Sequence, residues 1–186
     1  MWTNYQSRDA TLKTAVSAQQ GPKKISVIII TLNEEIFIEN LLKSLSSYDD
    51  IEIIVSDGGS IDRTARVAKK YTDKVIVGEK GRGKQLNNGA ALATGDILWF
   101  LHADSLLPDN FQDHIVSTLE KPGVVGGAFT LEIDSRQSSL KIIAKVAGLR
   151  SKLSGIPYGD QGIFVKRAVF ERINGFKNIP LMEDIE

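Results

Sequence analysis

Apolar residues follow two rhythms along this chain, and each predicts an element. Residues 25–30 are an almost unbroken β-branched run, which predicts a central strand buried on both faces. Ile38, Leu41, Leu42 and Leu45 then recur at helical spacing, with Asn33 as the expected cap. Residues 51–55 predict a second buried strand, about 62–71 a helix, 74–77 a short strand and 84–94 a helix stopped by Gly95. Between the last two, Gly81-Arg82-Gly83 reads as a flexible basic loop. The apolar run 97–101 predicts another strand buried on both faces, ending abruptly in His102 and Asp104. Pro108 opens a helix that puts Phe111, Ile115 and Leu119 on one face. Strand and helix by turns predict an α/β fold, a mostly parallel sheet with helices on both faces.

Past Pro122 the rhythm changes. Residues 124–133 form a long strand candidate containing Gly126 and Gly127, and 138–149 a rather apolar helix. Core packing is the preferred reading of that helix, and peripheral contact with a membrane or a partner is the alternative. A turn over 155–159, a short strand over 162–165 and a helix over 167–173 closed by Asn174-Gly175 complete the pattern. Residues 1–23 read as a loose polar tail. The last residues, from Pro180 to Glu186, read as the start of an acidic helix that does not continue, so a C-terminus cut short is expected.

Composition narrows the function classes. The 186 residues suit one domain with a sizeable core. Lys plus Arg and Asp plus Glu both number 23, so no basic excess points to nucleic acid or to an anionic membrane. There are no cysteines, which removes disulfides, thiol chemistry and cysteine metal sites. Residues 1–20 lack the apolar core of a signal peptide, and no apolar run is long enough to span a bilayer, so a cytoplasmic protein is expected.

The candidate chemistry lies in acids that follow predicted strands. Asp104 leaves the strand over 97–101, at the sheet edge where ligands of open α/β sheets bind. A carboxylate there can hold Mg2+ or Mn2+ when phosphates and waters complete the shell, with His102 pointing the same way. A turn or helix cap explains the same Asp104 from residue type alone. Asp57 and Glu34 leave the first two strands with their charges and can bind a nucleoside through its base and ribose hydroxyls. The glycines and serine of Asp57-Gly58-Gly59-Ser60 need no more than a turn and a cap. Arg82 and Lys84 offer a planar fork and a mobile point charge for phosphate, or simply surface charge. Neither a P-loop nor a dinucleotide fingerprint is present. Glu183 and Asp184 can include a general base, or favour a helix dipole. Asp160 and Gln161 form a further polar turn that can contact an acceptor or leaving group, or be an ordinary loop.

Taken in order, these segments resemble glycosyltransferase family 2, nucleotide-sugar-dependent enzymes of the GT-A fold, and in particular its small soluble bacterial members. The resemblance rests on Ile28 to Glu34, Val55 to Asp62, Gly83-Lys84 through Asn88-Gly89-Ala90, Gly95-Asp96 through His102-Ala103-Asp104, and Glu183-Asp184. It implies one GT-A-like catalytic domain over residues 24–186, a three-layer α/β/α sandwich. It implies an inverting transfer from a UDP-linked sugar to a hydroxyl acceptor. Asp57 would contact the nucleobase, Thr31 and Glu34 would line the nucleoside loop, and Arg82 and Lys84 would approach the diphosphate. Asp104 stands at the metal-binding acid, while His102 replaces the first acid of the family's Asp-x-Asp signature. Asp184 would be the catalytic base, with Glu183 beside it. A nucleotide-binding module with little transfer activity and a nucleotidyltransferase are the alternatives.

Overall fold

In the computed structural model, which describes residues 23–129 and 162–177, the predicted rhythm becomes a layered sheet. The strands are Ile25–Thr31 (β1), Ile51–Asp57 (β2), Val75–Val77 (β3), Ile97–His102 (β4), Gly126–Ala128 (β5) and Ile163–Lys166 (β6). They hydrogen-bond in the order β3-β2-β1-β4-β6-β5. The first four are mutually parallel; β6 runs antiparallel to β4, and β5 antiparallel to β6. All seven residues of β1 are buried, as a strand covered on both faces must be.

Period two divides the core. Val27 and Ile29 face a layer built from Ile38–Leu45 (α1), Thr64–Ala68 (α2) and Phe111–Leu119 (α4). Ile28 and Ile30 face the opposite layer, with Leu86 of Arg82–Ala91 (α3) and Phe170 of Arg167–Arg172 (α5). In the first layer Trp99 stacks on Phe111 at 4.7 Å between ring centroids and donates its indole N–H to the Gly162 carbonyl at 3.1 Å. A Cβ on Gly89 would collide with Ile28, so glycine lets α3 lie directly on the sheet. The three-layer α/β/α sandwich is thus present as expected.

Several boundaries moved for identifiable reasons. Asn33 does not cap α1; it adopts a left-handed φ of 57° and its Oδ1 accepts the Ile61 N–H at 3.0 Å. Asp62 accepts the Thr64 N–H at 2.9 Å, and α2 starts there rather than at residue 62 and ends at Ala68. Arg82 and Gly83 are not loop: Gly81, at φ 151°, makes the turn that lets α3 begin at Arg82. Helix α4 begins at Phe111, after Asn110 turns at φ 52°, and not at Pro108. Of the expected tail only Lys23 is described, paired with Glu120 at 3.4 Å. Of the strand expected over 124–133, the described residues hold only Gly126–Ala128, with 124, 125 and 129 outside it; the rest of the tail, residues 130–133, the helix over 138–149, the turn over 155–159, Asp160, Gln161 and the pair Glu183-Asp184 lie outside the described residues. Among the described residues no helix is long and apolar enough to cross a membrane.

The amino-terminal edge of the sheet is closed by one carboxylate. Glu52, 8% exposed, accepts from Lys74 Nζ at 2.6 Å, Ser26 Oγ at 2.5 Å, and the Thr94 N–H and Oγ1, both at 2.7 Å. Lys24 Nζ stands 3.7 Å away. Burial alone would raise the pKa of Glu52; these hydrogen bonds, led by the one from Lys74, outweigh it and bring the value down to about 2.

Candidate active site at the carboxyl ends of the parallel strands

The strand order places a switch point between β1 and β4. From β1 the chain steps outward through β2 and β3, then returns to the other side of β1 as β4. A crevice opens where the direction of winding reverses, outside the carboxyl ends of the strands. The loops after β1, β2 and β4 and the first turn of α3 all meet there.

The loop after β2 is built around Asp57, which is 1% exposed. Its Oδ1 accepts the Gly59 and Ser60 N–H groups at 3.0 and 2.7 Å. Its Oδ2 accepts Ser60 Oγ at 2.5 Å and Thr31 Oγ1 at 2.9 Å. An ionised carboxylate has about four lone-pair sites, and four hydrogen bonds occupy them. The expected contact between Asp57 and a base N–H therefore meets a carboxylate already satisfied by its own loop, and Thr31 meets Asp57 rather than facing solvent. Gly59 turns at φ 85°, a conformation that favours glycine. The first loop is zipped to this one: Asn33 N–H donates to Ser60 Oγ at 2.8 Å, and Glu34 N–H to Thr64 Oγ1 at 2.8 Å.

Glu34 and Asp104 share the crevice. Glu34 is half-buried, and its carboxyl pKa is raised first by burial, then by the negative charges of Asp104 and Asp62. Asp104 is exposed at the end of β4, in a turn tied by the Ser105 N–H to the His102 carbonyl at 3.2 Å. β1 and β4 are adjacent and parallel, with Ile30 opposite His102, so the loops that follow them leave the same edge of the sheet.

The basic residues divide. Arg82 Nη2 lies 3.1 Å from His102 Nε2. A guanidinium only donates, so Nε2 is the acceptor in this contact. The lone pair that a cation would use on Nε2 is thus engaged by Arg82, against the reading of His102 as a metal ligand through that atom. Lys84 turns away: its Nζ pairs with Glu79 at 2.6 Å, and this contact holds the Glu79 carboxyl below its ordinary pKa.

Gln85 escaped the sequence reading. It is 5% exposed, its Nε2 donates to the Thr31 and Ser56 carbonyls, both at 2.9 Å, and its Oε1 accepts the Gly81 N–H at 3.2 Å. A signal was available, since Gln85 adjoins Leu86 on a helix that opens beside Gly81, but the two carbonyls it meets are 54 and 29 residues away in the chain.

Among the described residues no group of three or more His, Cys, Asp or Glu side chains is arranged to hold a metal ion. The mutual repulsion of Glu34 and Asp104 is what a divalent cation would relieve. The donor set fits a hard cation that takes one protein carboxylate, Asp104, and completes its shell with phosphate and water oxygens.

Comparison with known proteins places this geometry. The model of the family described as glycosyl transferase family 2 matches residues 26–173. The probable glycosyltransferase YdaM of Bacillus subtilis is 26% identical over 192 residues, covering 88% of this chain and 45% of that protein. The mannosyltransferase PcManGT from Pyrobaculum calidifontis, solved with GDP-Man and Mn2+, superposes with a TM-score of 0.69 at 24% identity, over 94% of this chain and 54% of the other. Glucosyl-3-phosphoglycerate synthase from Mycobacterium tuberculosis, solved with Mn2+ and UDP-glucose, gives 0.59 at 26% identity, over 80% and 57%. The chain spans less than half the length of the curated relatives it matches first, 37% and 45% of the two.

Proposed function

The chain belongs to glycosyltransferase family 2, and on that premise we propose that it transfers a sugar from a nucleoside-diphosphate sugar to a hydroxyl acceptor with inversion at the sugar carbon. The observation that carries this reading is the meeting of the strand-end loops at the switch point, where β1, β2 and β4 end side by side.

In this reading the crevice divides the donor between its residues. The loop over 57–60, shaped by Asp57 and Thr31, receives the base, and Glu34 faces the nucleoside. Arg82, at the first turn of α3 and oriented by His102, faces the diphosphate. Asp104 would hold Mg2+ or Mn2+, which when bound would supply positive charge to offset that on a departing diphosphate. Lys84 contributes by releasing Glu79, or it remains a surface pair. Asp184, with Glu183 beside it, takes the proton from the acceptor hydroxyl as its oxygen attacks the sugar carbon and the bond to the diphosphate breaks. A UDP-linked donor is supported by the synthase solved with UDP-glucose at 26% identity. The alternative of a nucleotide-binding module with little transfer is favoured by His102, which stands where the family has an acid and is engaged by Arg82.

Titration calorimetry with UDP and GDP, with and without Mn2+, tests the donor site. Asp104→Ala is expected to lower Mn2+-dependent affinity by at least about tenfold, or about 1.4 kcal/mol. Melting should be unmoved, because the residue is exposed. Unchanged affinity would overturn the metal assignment. Product analysis with a panel of nucleotide sugars separates the transferase from the binding module.

A further inference from the structure

We propose that Gln85 is a positioning residue that sets the distance between the base side and the phosphate side of the nucleotide crevice. The inference rests on the donor-binding reading above. Its basis is the set of backbone groups gathered by one buried amide. Nε2 donates to the last carbonyl of β1, at Thr31, and to the Ser56 carbonyl one residue before Asp57. Oε1 accepts the N–H of Gly81, the residue before Arg82. Nε2 faces two carbonyl oxygens, which can only accept, and Oε1 faces an N–H, which can only donate, so the amide has one orientation. Glutamine fits where glutamate does not, because a carboxylate would face two carbonyl oxygens.

Through these bonds Gln85 connects the loop shaped by Asp57 to the turn that aims Arg82. A Cβ on Gly58 would come within 3.0 Å of Gln85 Oε1, so this loop also leans on the amide directly. Each half of the crevice also has bonds that do not involve Gln85. The bonds within the Asp57 loop are its own, and Arg82 has its contact with His102. What the amide supplies is their relative placement, which matters only to a ligand that occupies both halves at once.

The test is calorimetry in Mn2+ on the full chain and Gln85→Met, with UDP, UMP and pyrophosphate as probes. UDP affinity should fall at least about tenfold, while UMP and pyrophosphate each fall less than about threefold, since only a ligand spanning both halves feels the lost spacing. Gly58→Ala, which presses on the amide without removing it, should give the same pattern in milder form, and it serves if Gln85→Met does not fold. Unchanged UDP affinity, or an equal fall for all three probes, would overturn the coupling. If the wild-type chain binds neither UDP nor GDP, the donor-site reading fails and takes this proposal with it. If the wild type binds and the variants match it, the coupling alone fails.

Discussion

Strand β2 carries a buried carboxylate near each end, Glu52 at the amino-terminal edge of the sheet and Asp57 at the carboxyl-terminal edge. Glu52 is met by the Lys74 ammonium, with Lys24 close by, and by groups from β1 and from the turn before β4. Asp57 is met by the amides and hydroxyl of the loop that follows it, and by Thr31. The same chemical group therefore does two jobs. Beside cations it anchors strands to one another. Wrapped by its own loop, it gives shape to a stretch of backbone that faces the crevice.

Glu52→Ala is the strongest way to break the anchor. It removes the carboxylate partner of Lys74 and leaves Ser26 and Thr94 donors without that acceptor, so a loss of about 3 kcal/mol is expected. Urea unfolding measures it, and nucleotide affinity of the folded variant should stay within about twofold, because the two edges are separate.

Acid separates the edges without mutation. The Glu52 pKa falls on folding from 4.5 to about 2, so its stabilisation is complete above 4.5 and lost as pH drops toward 2. By linkage the loss approaches about 3 kcal/mol. Glu34 runs the other way. Its raised pKa costs stability while it is ionised, and that cost is relieved as pH falls through its folded value, above 4.5. Unfolding midpoints between pH 7 and 2.5 should therefore fall mainly below 4.5, and Glu52→Gln should flatten that decline.

Asp57→Asn sharpens the contrast. An amide nitrogen replaces one acceptor oxygen among four donors, so about 2 kcal/mol of stability should be lost. Unlike the change at Glu52, this one should also weaken UDP binding, by about tenfold, because the loop it deforms faces the ligand. A stability loss with intact UDP affinity would show that the loop serves the fold alone.

Much of the scaffold was legible from pattern. The strand expected over 25–30 is Ile25–Thr31, and Ile38, Leu41, Leu42, Leu45, Phe111, Ile115 and Leu119 are all buried as their spacing requires. The ordered motifs identified the family over nearly the stretch that the family model matches. Partners were not legible. Arg82 and His102 read as independent phosphate and metal groups, yet one faces the other across 20 positions. Lys84 read as a phosphate cation or as surface charge, and it is paired with Glu79. Nothing in the sequence pattern singles out Gln85 or Glu52.

Periodicity and motif order by themselves determined the layered α/β architecture, the family and the strand ends that carry acids, because burial on one or two faces imposes a repeat that neighbouring residues must share. Only the tertiary structure decided which polar groups answer one another. A hydrogen bond such as the one from Gln85 to the Thr31 carbonyl, 54 residues away, leaves no repeat in the chain and exists only once the strands and helix bring its ends together.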